Sequence, residues 1–89
     1  MTDLNNTPTE IMNRLRQRCK KAGYVATTNS QERYVLPGFR GHYIETGYAT
    51  GMVWIRFFRA GVMMKRTDLA TESAIQKALQ DIVDWKDHI

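Results

Sequence analysis

The stretch from Met52 to Arg66, Met-Val-Trp-Ile-Arg-Phe-Phe-Arg-Ala-Gly-Val-Met-Met-Lys-Arg, limits the fold more than any other part of the chain. Strand side chains alternate between two faces. Val53, Ile55 and Phe57 therefore share one face, and Met52, Trp54, Arg56 and Phe58 share the other. The first set is apolar and β-branched or aromatic, so it is expected to face a core. Arg59-Ala60-Gly61 reads as a short turn in which Gly61 supplies a positive φ without steric cost. Val62 to Arg66 then returns as a second strand. The set Trp54, Arg56 and Phe58 leaves two readings open. In one, the rings stack bases and the guanidinium binds phosphate oxygens. In the other, Trp54 and Phe58 pack under a helix while Arg56 reaches past them to water. Met63 and Met64 read as gap-filling core residues.

Helices flank this hairpin in the sequence. Thr7-Pro8-Thr9-Glu10 is a helix start: Thr7 caps, Pro8 takes the first helical position and Glu10 completes a capping box. The helix is expected to run to about Ala22, with Ile11, Leu15, Cys19 and Ala22 as its apolar stripe and Gly23 as its stop. Cys19 lies in that stripe and reads as a buried structural thiol. A second helix starts near Asp68 or Thr71 and buries Ala74, Ile75, Ala78, Leu79, Ile82 and Trp85. Asp81, Asp84 and Asp87 are expected to face solvent. Between the first helix and the hairpin, Arg33 to Leu36 and His42 to Thr46 are strand candidates. Pro37-Gly38 is a stop between them, and Gly47 to Gly51 reads as a flexible connection. The glycines do not form a phosphate-binding loop, because none opens a helix.

The expected fold is therefore α+β: an N-terminal helix, a small antiparallel sheet of two to three strands, and a C-terminal helix packed on the sheet. Residues 1–6 are polar and read as disordered, leaving one domain over residues 7–89. The 89-residue chain is 43% hydrophobic and 25% charged, which suits a small folded domain. One cysteine excludes an internal disulfide, and one cysteine with two distant histidines gives no zinc spacing. With no signal peptide pattern and no apolar run of membrane-spanning length, the expectation is a cytoplasmic protein without a membrane partner.

Charge carries the functional expectation. The net charge is +4, and it is segregated. Arg14, Arg16, Arg18, Lys20 and Lys21 crowd one stretch without an acid; Arg56, Arg59, Lys65 and Arg66 crowd another. Arg14, Arg18 and Lys21 lie along one edge of the first helix, Arg16 and Lys20 along the other. No catalytic constellation, metal spacing or cofactor motif is visible, so no enzyme and no cofactor are expected. The leading reading is a small nucleic-acid-binding protein. Its footprint combines Arg14, Arg18 and Lys21 with Trp54, Arg56, Phe58, Arg59, Lys65 and Arg66. The sequence leaves open whether the two basic stretches share one face. A second reading, from another class, is a phage or mobile-element accessory protein that binds and inhibits a host protein, since arginines and aromatics also make protein hot spots. A homodimer fits either reading.

Two resemblances bear on the choice. Trp54-Ile-Arg-Phe-Phe-Arg-Ala-Gly61 followed by Leu69-Ala-Thr-Glu-Ser-Ala-Ile75 resembles the N-terminal arm-type DNA-binding domain of phage tyrosine recombinases. The likeness covers residues 53–75 and does not include the N-terminal helix. In that family the sheet enters the major groove, which implies that Trp54, Arg56 and Phe58 face DNA and favours DNA over RNA. The order helix, strands, helix is also similar to a double-stranded RNA-binding domain. There the second helix opens on a basic cluster, whereas Thr71-Glu72-Ser73 here is acidic, so that likeness is topological.

Overall fold

The computed structural model describes residues 7–27, 32–39 and 41–88. Helix α1 spans Pro8–Lys21 and helix α2 spans Glu72–Trp85, followed by a single 3-10 turn. Between the helices run β1 (Val25–Ala26), β2 (Glu32–Val35), β3 (Tyr43–Ala49), β4 (Met52–Arg59) and β5 (Val62–Asp68). They form one antiparallel sheet in the order β1-β2-β3-β4-β5, so every strand pairs with its neighbours in sequence. The α+β class and the flanking helices are as expected. The sheet has five strands rather than two or three. The expectation of a disordered segment 1–6 lies outside the described residues.

The helix starts follow from local chemistry. The Thr7 hydroxyl accepts from the Glu10 amide at 3.2 Å, and the Glu10 carboxylate accepts from the Thr7 amide at 2.7 Å, so both halves of the capping box form. Thr71, not Asp68, caps α2, accepting from the Ala74 amide at 3.1 Å. Both long hairpin turns are two-residue loops with positive φ throughout. Thr50 and Gly51 stand at 50° and 79°, Ala60 and Gly61 at 53° and 76°. That is the geometry matching the right-handed twist of the strands. Gly47 to Gly51 is thus no flexible connection: Gly47, Tyr48 and Ala49 belong to β3, and Thr50-Gly51 is the turn.

Both helices pack on one side of the sheet. Ile11, Leu15 and Cys19 of α1 and Ile75, Ala78, Leu79, Ile82 and Trp85 of α2 meet Tyr34, Ile44, Val53, Ile55 and Phe57 in one core. Val53, Ile55 and Phe57 therefore face inward as their alternation requires. Trp85 closes one end: its indole N–H donates to the Phe58 carbonyl at 3.1 Å and its ring stacks on buried His42 at 5.6 Å. Met63 and Met64 are not core. Each is 49% exposed, because β5 is an edge strand and bulges there, leaving Met64 without a partner on β4. Asp81 is not simply solvated; it receives Lys65 from β5 at 2.6 Å and ties that edge to α2. No helix among the described residues is long and apolar enough to cross a membrane.

Candidate nucleic-acid interface

Because both helices lie on one side, the other side of the sheet carries no helix among the described residues. The strand register sets what is displayed there. One cross-strand row runs Arg33, Glu45, Arg56, Arg66 across β2, β3, β4 and β5. The next row runs Val25, Val35, Tyr43, Phe58, Met63 across all five strands. A charged stripe holding three arginines and one glutamate thus lies beside an apolar, aromatic stripe. Sequence neighbours two apart along a strand become members of different stripes, which is why neither stripe is visible in the linear chain.

Two of the three arginines, Arg33 and Arg56, are held over aromatic rings, while Arg66 pairs with Asp68 at 3.2 Å. Arg33 lies 4.5 Å from the centroid of the Tyr43 ring, and Tyr43 stacks on Phe58 at 4.4 Å with the planes 14° apart. Arg56 lies 4.2 Å over the Trp54 ring. Such stacking fixes a guanidinium by its face and leaves N–H groups at its rim for a ligand. Glu45, 6% exposed, is neutralised by Arg33, whose Nε and terminal nitrogen both donate to one carboxylate oxygen at 3.1 and 2.6 Å. Arg56 stands opposite Glu45 in the register, and its Nε is buried without a hydrogen-bond partner among the described residues. A donor left unmade in this way costs free energy, on the order of 1–3 kcal/mol, unless a ligand or water meets it.

Trp54 follows neither reading of the sequence fully. It is only 8% exposed, yet it is buried away from both helices, under Arg56 and against Gly47 of β3. A Cβ at position 47 would lie inside the van der Waals envelope of the Trp54 ring. Gly47 is therefore the seat of that ring, and its lack of a side chain is what lets the indole lie flat across the neighbouring strand.

The structure separates the residues the sequence gathered into one footprint. Trp54, Arg56, Phe58 and Arg66 share the uncovered sheet face. Arg14, Arg18 and Lys21 line a groove between the helices with Gln17, Gln76 and Leu79. Arg59 and Lys65 lie on the helix side, in a cleft with Asp81, Asp84, Asp87, Met64 and Trp85. Three aspartates offset their charge, so this cleft is not a continuation of the basic sheet face. Arg33, Tyr43 and Glu45 complete the sheet face and are missed by local reading. The signal for them is the alternation of Tyr43, Glu45 and Gly47 against Ile44 and Thr46 in β3. Gly47 hides it by imitating a loop residue.

Burial pushes the Cys19 thiol up to about 12, so it stays protonated at neutral pH. No group of three or more potential metal ligands occurs among the described residues. Comparison with family models, curated proteins and solved structures gives no match.

Proposed function

We propose that the uncovered sheet face binds single-stranded nucleic acid. The observation that supports this is a row of three arginines, Arg33 and Arg56 held over aromatic rings and Arg66 beside Asp68, next to a parallel apolar row on a face that no helix among the described residues covers. Phosphates meet Arg33, Arg56 and Arg66, and bases lie toward Phe58 at the end of the Arg33–Tyr43–Phe58 stack, where stacking is tolerant of sequence. With strands about 4.8 Å apart, the arginine row is roughly 14 Å long, enough for a few nucleotides.

The test is fluorescence anisotropy with labelled single-stranded DNA, single-stranded RNA and duplexes across a salt series. Single strands are expected to bind more tightly than duplexes, with log affinity falling against log salt at a slope of roughly −2, as three phosphate contacts require. Arg56→Glu with Arg66→Glu is expected to lower affinity about tenfold or more and to flatten that slope. Unchanged affinity in the double variant would sink this reading.

The exposed apolar members of the same face, Val25 and Met63, favour a second reading: a protein partner seated on the sheet. Such a complex holds at high salt and is lost on Met63→Asp, whereas the nucleic-acid complex dissolves with salt and depends on Arg56.

A further inference from the structure

The sheet face accounts for Arg56 and Arg66 but leaves the basic edge of α1 unused. Arg14, Gln17, Arg18 and Lys21 of α1 line a groove of about 330 Å³ with Gln76 and Leu79 of α2. None of these lining residues is acidic. The nearby Glu72 is held by Arg14 in a two-pronged pair at 3.2 and 2.9 Å and also accepts from Gln76 at 2.7 Å, so its charge is met within the helix pair. Arg18 and Lys21 are left with no carboxylate on the groove wall, beside two glutamine amides able to donate to oxygen. Cations in the last turn also suit the helix dipole. That accounts for their presence on α1, not for their convergence with Gln76 on a cleft shared by two helices.

This groove lies on the helix side, and the arginine row lies on the other side of the sheet. The groove lies within the helix layer, so the sheet and the core beneath the helices separate it from the arginine row. One strand lying along the arginine row does not reach the groove. We propose that the α1–α2 groove is a second site for a phosphodiester backbone, so that one copy of the protein holds two strands at once and bridges them. This rests on the sheet-face reading above. The ligand chemistry is the same at both sites, but the groove offers cations and amides without an aromatic ring. It is therefore a backbone site indifferent to base identity.

The experiment tethers one oligonucleotide to beads, adds the protein, and measures capture of a second, fluorescent oligonucleotide of unrelated sequence, with sedimentation fixing the oligomeric state. Capture is expected with the wild-type chain. Arg18→Glu with Lys21→Glu is expected to cut capture at least tenfold while leaving binding to a single strand within threefold. Both side chains are outside the core, and Arg18→Gln with Lys21→Gln serves as a milder pair should the reversed charges unfold α1. Binding of the tethered strand without capture of the second would overturn the bridge and leave the sheet reading standing. Capture that persists in the groove variants would also overturn it, assigning the bridge to self-association. Binding lost in the groove variants but kept in Arg56→Glu with Arg66→Glu would overturn the sheet reading and, with it, the two-sided bridge. Absence of binding to any strand at low salt would overturn both.

Discussion

Gly47 and Trp54 form the contact on which the candidate face turns. The indole is buried without a helix above it because a neighbouring strand offers a position with no side chain, and Arg56 then closes over the ring. Gly47→Ala forces the ring out of its seat. The expected cost is about 1–3 kcal/mol, as for overpacking elsewhere. A urea titration measures it, and a red shift in tryptophan emission marks the displaced ring, since Trp85 stays in the core. Because Arg56 rests on that ring, the same variant is expected to weaken single-strand binding although it removes no charge. A second residue-scale constraint is Gly41, at φ 77°, where a Cβ would come within 2.7 Å of the Gly61 amide. The Gly41 carbonyl accepts from that amide at 3.1 Å, so the loop after β2 is pinned to the turn between β4 and β5.

At the scale of elements, α2 is held more by packing than by its own ends. Its buried stripe of Ile75, Ala78, Leu79, Ile82 and Trp85 supplies a large part of the core, while Thr71 supplies the cap. Thr71→Ala is expected to lower stability by about 1 kcal/mol, read as a shift in the urea midpoint with an unchanged slope. Both helices and the hairpin of β4 and β5 are legible in the sequence because each is specified locally: a capping box, an apolar stripe of helical period, alternation around Ala60-Gly61. The middle of the chain is less legible. β1 is two residues long, and β3 carries a glycine whose reason lies on another strand. The site is half legible for a related cause. Trp54, Arg56, Phe58 and Arg66 stand out as cations and aromatics, whereas Arg33 and Tyr43 join them only through register, which is a property of paired strands and not of any one of them. Met63 and Met64 mislead because hydrophobicity alone does not say which strand is the edge.

For the whole molecule, the core sets an alkaline limit. Burial pushes the Cys19 thiol up to about 12 and moves the Tyr24 and Tyr34 phenols up as well, Tyr34 also by donating to the Glu32 carboxylate. All three hold their protons in the folded chain at a pH where the unfolded chain releases them. Their contribution is therefore complete below about pH 8, near the lower edge of the unfolded thiol's titration, and is lost progressively as pH rises from there through the raised values of the folded groups, about 12 for the thiol. Melting followed by circular dichroism between pH 7 and 11 is expected to show a falling Tm above about pH 8.5. Cys19→Ser is expected to remove part of the slope, while a thiol reagent leaves native Cys19 unmodified. The plain meander of the sheet has a further consequence for synthesis. Because each strand pairs only with the one made just before it, hairpins can close as the chain emerges. Only α1 is then available to cover the apolar side, and Val53, Ile55 and Phe57 stay partly bare until α2 follows. A chain whose sheet is complete but whose residues 72–85 have not yet docked is therefore the form most prone to stick to others.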